Sequence, residues 1–376
     1  MTMETTTLNS TASILTFNFI IGIISNYLIS GSNDTSVKLW YLNNGSLKAT
    51  FAGHTKAVTC VLNARRGIIV SGSADHSVKI WYMHNSSLLF EFNNTNGGHT
   101  DQVSSLVSIN YYLIASASWD KTVKVWDLNS YSLKFSFDNT SGGHTGKVNC
   151  LSLLNSGLLA SGSSDNSIKV WDAINGGLIF TFDSTNGGYS KSIMQLLGFS
   201  NDMLVANAND TLLKVWSLNS TDNNLIDTLN SSIDSNNGYF TAIEATDNLF
   251  LVAGLSYGGI KVWDPSTGYL LHTLDGTYSY NSSIDLLCAI PSGLFAVANG
   301  LNEIRVYDAY YGTENFNLAG HAHKITSMIV ADNGDLISGS LDGSIRVWSM
   351  ATRLAKYVFN NQNGGHTGSI TALAKM

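Results

Sequence analysis

With 376 residues, 44% of them hydrophobic and only 12% charged, the chain can bury a large core beneath a surface that is polar without being charged. A formal charge of −7 and the absence of any Lys/Arg run exclude the footprint of a duplex binder, so nucleic acid is not expected as the primary partner. Three cysteines, Cys60, Cys150 and Cys288, are odd in number and form no CxxC pair; they read as buried free thiols, with no disulfide framework and no metal site.

In chain order, residues 1–13 read as a flexible segment ahead of one body spanning 14–376. The apolar run at 14–24 has the length of a secretory h-region, but Glu4 and the lack of Lys or Arg before it contradict a signal peptide. Asn18 and its short length exclude a spanning helix, so the run reads as a buried strand. A cytoplasmic location, with a nuclear alternative, is expected over secretion. Asn-x-Ser/Thr triplets such as the one at Asn33 are what an Asn-rich chain contains by chance and do not imply glycosylation.

From there, one pattern returns eight times. Trp40, Trp81, Trp126, Trp171, Trp216, Trp263, Tyr307 and Trp348 are spaced by 41, 45, 45, 45, 47, 44 and 41 residues, a propeller-like period. Each closes an alternating run such as SVKIW or TVKVW, the mark of a half-buried strand. Around it stand an apolar segment such as AVTCVL (57–62), a second such as IIVSGS (68–73), and a fourth such as SLLFEF. Two prolines against 34 glycines suit many strands joined by tight turns. The expected fold is all-β: a single eight-bladed β-propeller of four-stranded antiparallel blades, each of these eight aromatics ending a third strand.

Gly-His precedes the first strand at His54, His99, His144, His321 and His366, and 27 residues separate His from Trp in four repeats. With Trp126-Asp127, Trp171-Asp172 and Trp263-Asp264, this resembles the WD-repeat family over nearly all of residues 14 to 376. The resemblance implies structural tetrads: His54, Ser71, Asp75 and Trp81; His99, Ser116, Asp120 and Trp126; His144, Ser161, Asp165 and Trp171; His321, Ser338, Asp342 and Trp348. His, Ser and Asp together invite a catalytic triad, but four identical active sites would be strange, and a buried turn Asp must be paired. In blade five Tyr189 replaces His and Ala206 replaces Ser; blades six and seven depart further.

The C-terminal segment 369–374 is a first strand without a second or third, while Ser30, Asp34 and Trp40 lack a His, with Ser13 at its position. A closing tetrad of His366 with Ser30, Asp34 and Trp40 would latch the ring between the chain ends; residues 16–21 are the rival first strand, favoured by loop entropy. The chain is also readable as a piece of a longer protein.

Lys38, Lys79, Lys124, Lys169, Lys214, Lys261, Arg305 and Arg346, each two before an aromatic, are expected to lay alkyl stems on it with tips in water. In the resembling family, the loops leading to Gly-His and the turns bearing the tetrad Asp share one partner-binding face. Those loops carry four extra residues in FNNTNGGHT, FDNTSGGHT, FDSTNGGYS and FNNQNGGHT. Trp119, with Gln102, Lys56, Lys147, Lys191 and Lys324, is expected on that face, facing proteins or peptides, acidic ones included. The function expected is a non-catalytic protein-interaction scaffold without cofactor. A glycan or lipid-headgroup binder is the alternative, resting on Trp119 and on Tyr111, Tyr112, Tyr310 and Tyr311. An enzyme is last, since no carboxylate pair, metal cluster or nucleophile motif stands outside the tetrads.

Overall fold

The computed structural model describes residues 26–65, 67–199, 202–218, 225–231, 238–274 and 282–376. The flexible segment 1–13, the apolar run 14–24, the rival strand 16–21 and Ser13 lie outside the described residues. Eight four-stranded antiparallel sheets are arranged as the blades of one propeller, and among the described residues no α-helix interrupts them.

Seven blades are built from consecutive strands. Blade two is typical, with strands Val58–Arg65, Ile68–Ser73, Val78–Tyr82 and Ser87–Phe92 in that order from axis to rim. Blade one differs: its strands Tyr27–Ser32, Val37–Tyr41 and Leu47–Phe51 take their innermost neighbour, Ile370–Lys375, from the other end of the chain. Ile29 pairs there with Ala374 and Ser30 with Leu373.

Each third strand runs one residue past its aromatic, so Trp81 is next to last and Tyr82 still pairs with Ser87. The register slips between Ile80 and Trp81, and this local bulge carries the strand on beyond the expected end. Each aromatic then packs on the neighbouring blade: the rings of Phe92 and Trp126 lie 4.0 Å apart, and those of Phe359 and Trp40 lie 4.6 Å apart. Burying aromatic area between blades is what a lone blade cannot do, and it makes the ring the unit of stability.

Two further devices set the blade spacing. A Cβ on Gly72 would stand 2.5 Å from Val103 Cγ1, and one on Gly162 would stand 2.5 Å from Ile193 Cγ2, so the next blade docks onto bare backbone. The second residue of the innermost strand also donates across the seam. Thr59 reaches Val103 O at 2.6 Å, Ser104 reaches Val148 O at 2.6 Å, and Asn149 reaches Ile193 O at 2.8 Å. Thr241, Thr326 and Thr371 repeat the bond to Ile284, Ile370 and Val58. At blade seven the residue is Asp285, whose carboxylate accepts from Lys324 of blade eight at 2.7 Å instead.

Candidate functional site

At the tight turn between second and third strands, Trp126 Nε1 donates to Ser116 Oγ at 2.8 Å, and Ser116 Oγ lies 2.7 Å from His99 Nε2. His99 Nδ1 is 2.8 Å from Asp120 Oδ2, which also accepts from Thr100 N at 3.0 Å. An ionised carboxylate only accepts, so Nδ1 carries the imidazole proton; the serine, having accepted the indole N–H, gives its own proton to Nε2. Burial holds the His99 imidazole below its usual value, against the raising effect of Asp120. Burial would raise the Asp120 carboxyl, but the bonds from His99, Thr122 and Thr100 N win and hold it well below the carboxylate range.

The same chain joins His54, Ser71, Asp75 and Trp81; His144, Ser161, Asp165 and Trp171; and His321, Ser338, Asp342 and Trp348. His366 meets Ser30 at 2.8 Å and Asp34 at 2.9 Å, while Trp40 Nε1 donates to Ser30 at 2.9 Å, so the chain ends share one such network. Each serine is buried with its oxygen occupied by an indole, which leaves no open path for a nucleophile.

A further member went unread in the sequence: the hydroxyl two residues after each Asp. Thr122 Oγ1 bonds Asp120 Oδ1 at 2.7 Å and lies 3.2 Å from His99 Nδ1, and Ser36, Ser77, Ser167 and Ser344 repeat the arrangement. The recurrent Asp-x-Ser/Thr was the available signal. In blade five, Tyr189 fills the His volume and donates to Ala206 O, and Trp216 Nε1, lacking the serine, has no partner.

Four of the eight basic residues before the aromatics depart from the expectation, whereas Lys169, Lys214, Arg305 and Arg346 are only partly buried and Arg346 lies over the Trp348 ring. Lys38, Lys79, Lys124 and Lys261 are buried. Lys124 Nζ donates to Gly97 O and Lys38 Nζ to Gly364 O, each at 3.0 Å, while Lys79 pairs with Glu91 at 2.6 Å. Gly97 and Gly364 end the enlarged loops, which are compact rather than open. Three of the four hold one 3₁₀ turn, such as Asn94–Asn96, capped by Asn93 and closed by a left-handed glycine, and the fourth, after Asp183, is a plain hydrogen-bonded turn. A cation on the terminal carbonyls suits the negative end of the turn. The thiols of Cys60, Cys150 and Cys288 are free and pushed up to about 12 by burial, although the Cys60 and Cys150 residues are only partly covered.

The enlarged loops and the Asp turns lie at one end of the channel. There Trp119, half-buried in the turn before Asp120, donates its backbone N–H to Gln102 O at 2.9 Å. Lys147 of blade four stands 3.8 Å above the Trp119 ring centre, a cation–π contact between blades. Lys56 is exposed; Lys191 and Lys324, by contrast, pair with Asp210 at 3.4 Å and with Asp285. The tyrosines do not gather: Tyr111–Tyr112 and Tyr310–Tyr311 each pack edge to face, but in blades three and seven, across the ring and at the opposite end of the channel from Trp119. Among the described residues, no group of three His, Cys, Asp or Glu could hold a metal, and no helix is long and apolar enough to cross a membrane.

The family described as "WD domain, G-beta repeat" matches residues 45–82, 90–127, 131–172 and 312–349, each a stretch that ends at or just past a blade aromatic. The chain is a WD-repeat β-propeller. The resemblances to curated proteins are local. They include the U3 small nucleolar RNA-associated protein 21 homolog of Schizosaccharomyces pombe, 35% identical over 106 residues, covering 28% of this chain and 11% of that protein. Ribosome biogenesis protein YTM1 of Yarrowia lipolytica is 28% identical over 27% of this chain and 23% of its own length. Autophagy-related protein 16 of Arabidopsis thaliana is 26% identical over 34% and 24%. The matches thus span less than a quarter of each relative's length. Among solved structures, the computationally designed Ika8 protein superposes with a TM-score of 0.73 at 28% identity, over 86% of this propeller and 93% of that chain. U3-55K, at TM-score 0.60 and 19% identity over 77% and 90%, shares the fold.

Proposed function

We propose that this WD-repeat propeller is a non-catalytic scaffold that holds proteins or peptides on its loop-enlarged face within a larger assembly. The observation that carries the reading is Trp119: a large aromatic only half covered at the channel mouth, on a frame stiffened by buried hydrogen-bond networks. Two of the relatives are named for ribosome biogenesis or for association with a small nucleolar RNA, and by that analogy the nucleus stands beside the cytoplasm as its place of work. Affinity purification with mass spectrometry, comparing wild type with Trp119→Ala, tests it. The scaffold reading expects specific partners to be lost, by about 2 kcal/mol of binding or more, at an unchanged melting temperature. Partners retained in full, or a collapse of stability, would contradict it.

A further inference from the structure

We infer that the partner presented to this face is an acidic segment carrying an apolar side chain, laid across blades two to four over Trp119. The inference rests on the scaffold reading and adds the partner's chemistry.

Lys191 and Lys324 are neutralised by Asp210 and Asp285, so the side of the channel mouth formed by blades five, seven and eight offers little to an anion. Lys56 in blade two and Lys147 in blade four have no ion pair among the described residues, and they flank the blade that bears Trp119. A third cation stands between them. Lys121 is exposed two residues beyond Trp119, at φ 75°, a left-handed position where blade eight uses Gly343. The anions beneath are turned away: Asp75, Asp120 and Asp165 each spend their oxygens on an imidazole and on backbone N–H groups. Near the centre of the arc Asp101 is the remaining carboxylate of blade three, and it caps Gln102 N at 2.7 Å, while Asp138 lies out in the enlarged loop.

Trp119 and the cations act on different parts of one ligand. Lys147 covers one face of the indole, and an ammonium has three donors, enough to serve a ligand carboxylate as well. The uncovered indole takes an apolar side chain. On the rim, the loop tips Asn94–Asn96 and Asn139–Ser141 are uncharged, and Asp138 closes its own turn on Thr140, so charge is concentrated at the centre of the arc. Three cations fit a short acidic segment; a nucleic-acid strand needs a longer track of phosphate contacts.

Selection of random peptides of about twelve residues on the intact protein, counter-selected on Trp119→Ala, reads the preference directly. Enriched peptides should place Asp or Glu on both sides of an aromatic or aliphatic residue. Their binding should weaken about tenfold in Lys56→Glu or Lys147→Glu and fall on going to about 0.5 M salt. Lys121→Gly should weaken it several-fold while raising the melting temperature, because glycine relieves the left-handed strain; this variant separates lost binding from lost folding. Peptides without acidic residues that still require Trp119 would overturn the inference and leave the scaffold reading standing. Peptides indifferent to Trp119, or no enrichment, would overturn both. Displacement of the selected peptide by oligouridylate at equal concentration would reassign the site to nucleic acid.

Discussion

The carboxylate of Asp120 is where sequence, burial and stability meet. It joins a histidine, a threonine hydroxyl and two backbone N–H groups, so Asp120→Ala should cost a few kcal/mol by stranding those donors, roughly the penalty for unpaired buried polar groups. Asp101→Ala, which removes one partly buried cap, should cost less than about 0.5 kcal/mol. Equal melting shifts in the two variants would contradict the tetrad account. The same groups set the response to acid. The His99 and His366 imidazoles and the Asp120 and Asp34 carboxyls all bind protons less readily in the folded than in the unfolded chain. The stability these four groups contribute is therefore complete above the ordinary imidazole range and falls as the pH drops first through about 6.5 and then through about 4.

Glu244 has the opposite sign. On the innermost strand of blade six, Phe240–Ala245, it keeps one bond to Ala245 N, and burial raises its carboxyl to about 7. Its stabilising protonated form is lost as the pH rises from the ordinary carboxylate value through about 7. Glu244→Gln should therefore raise stability by roughly 1–3 kcal/mol at pH 8 and change little at pH 5, measured by thermal melts across pH. A variant with the same melting difference at both pH values would refute this.

At the scale of strands and turns, the alternating runs and their aromatic ends were legible because a half-buried strand has a period of two, and a propeller repeats it. Contacts between repeats were not legible in the same way. That Lys124 would bury its tip against Gly97 O depended on the enlarged loop curling into a capped turn, which the sequence showed only as extra length. Lys147 reaches Trp119 across a blade boundary, and nothing in the spacing of either residue announces it. The donor bonds from Thr59 and Ser104 were visible as a recurring hydroxyl after the first apolar residue, yet their acceptor lies in another blade. Blade five provides the element-scale test. Tyr189→His with Ala206→Ser should give Trp216 Nε1 an acceptor and His a partner in Asp210, raising stability by about 1 kcal/mol. A double variant that melts lower would show that the tyrosine packing is the better solution there.

The whole molecule is a ring whose seams are nearly all alike, and the one that differs in kind joins the two chain ends. His366 and Thr367 N close on Asp34, Ile370 docks on Gly339 of blade eight, and Thr371 donates to Val58 O of blade two. A face that binds partners rigidly across several blades requires this seam to stay shut, since blades otherwise contact only their neighbours. Hydrogen exchange at residues 28–32, in the full chain and after deletion of 364–376, tests the closed scaffold most directly. The account predicts amide protection at 28–32 close to that of the other blades in the full chain, and its loss, with a markedly lower melting temperature, in the truncated one. Undiminished protection after the deletion would contradict it, because another strand would then be holding the innermost place of blade one.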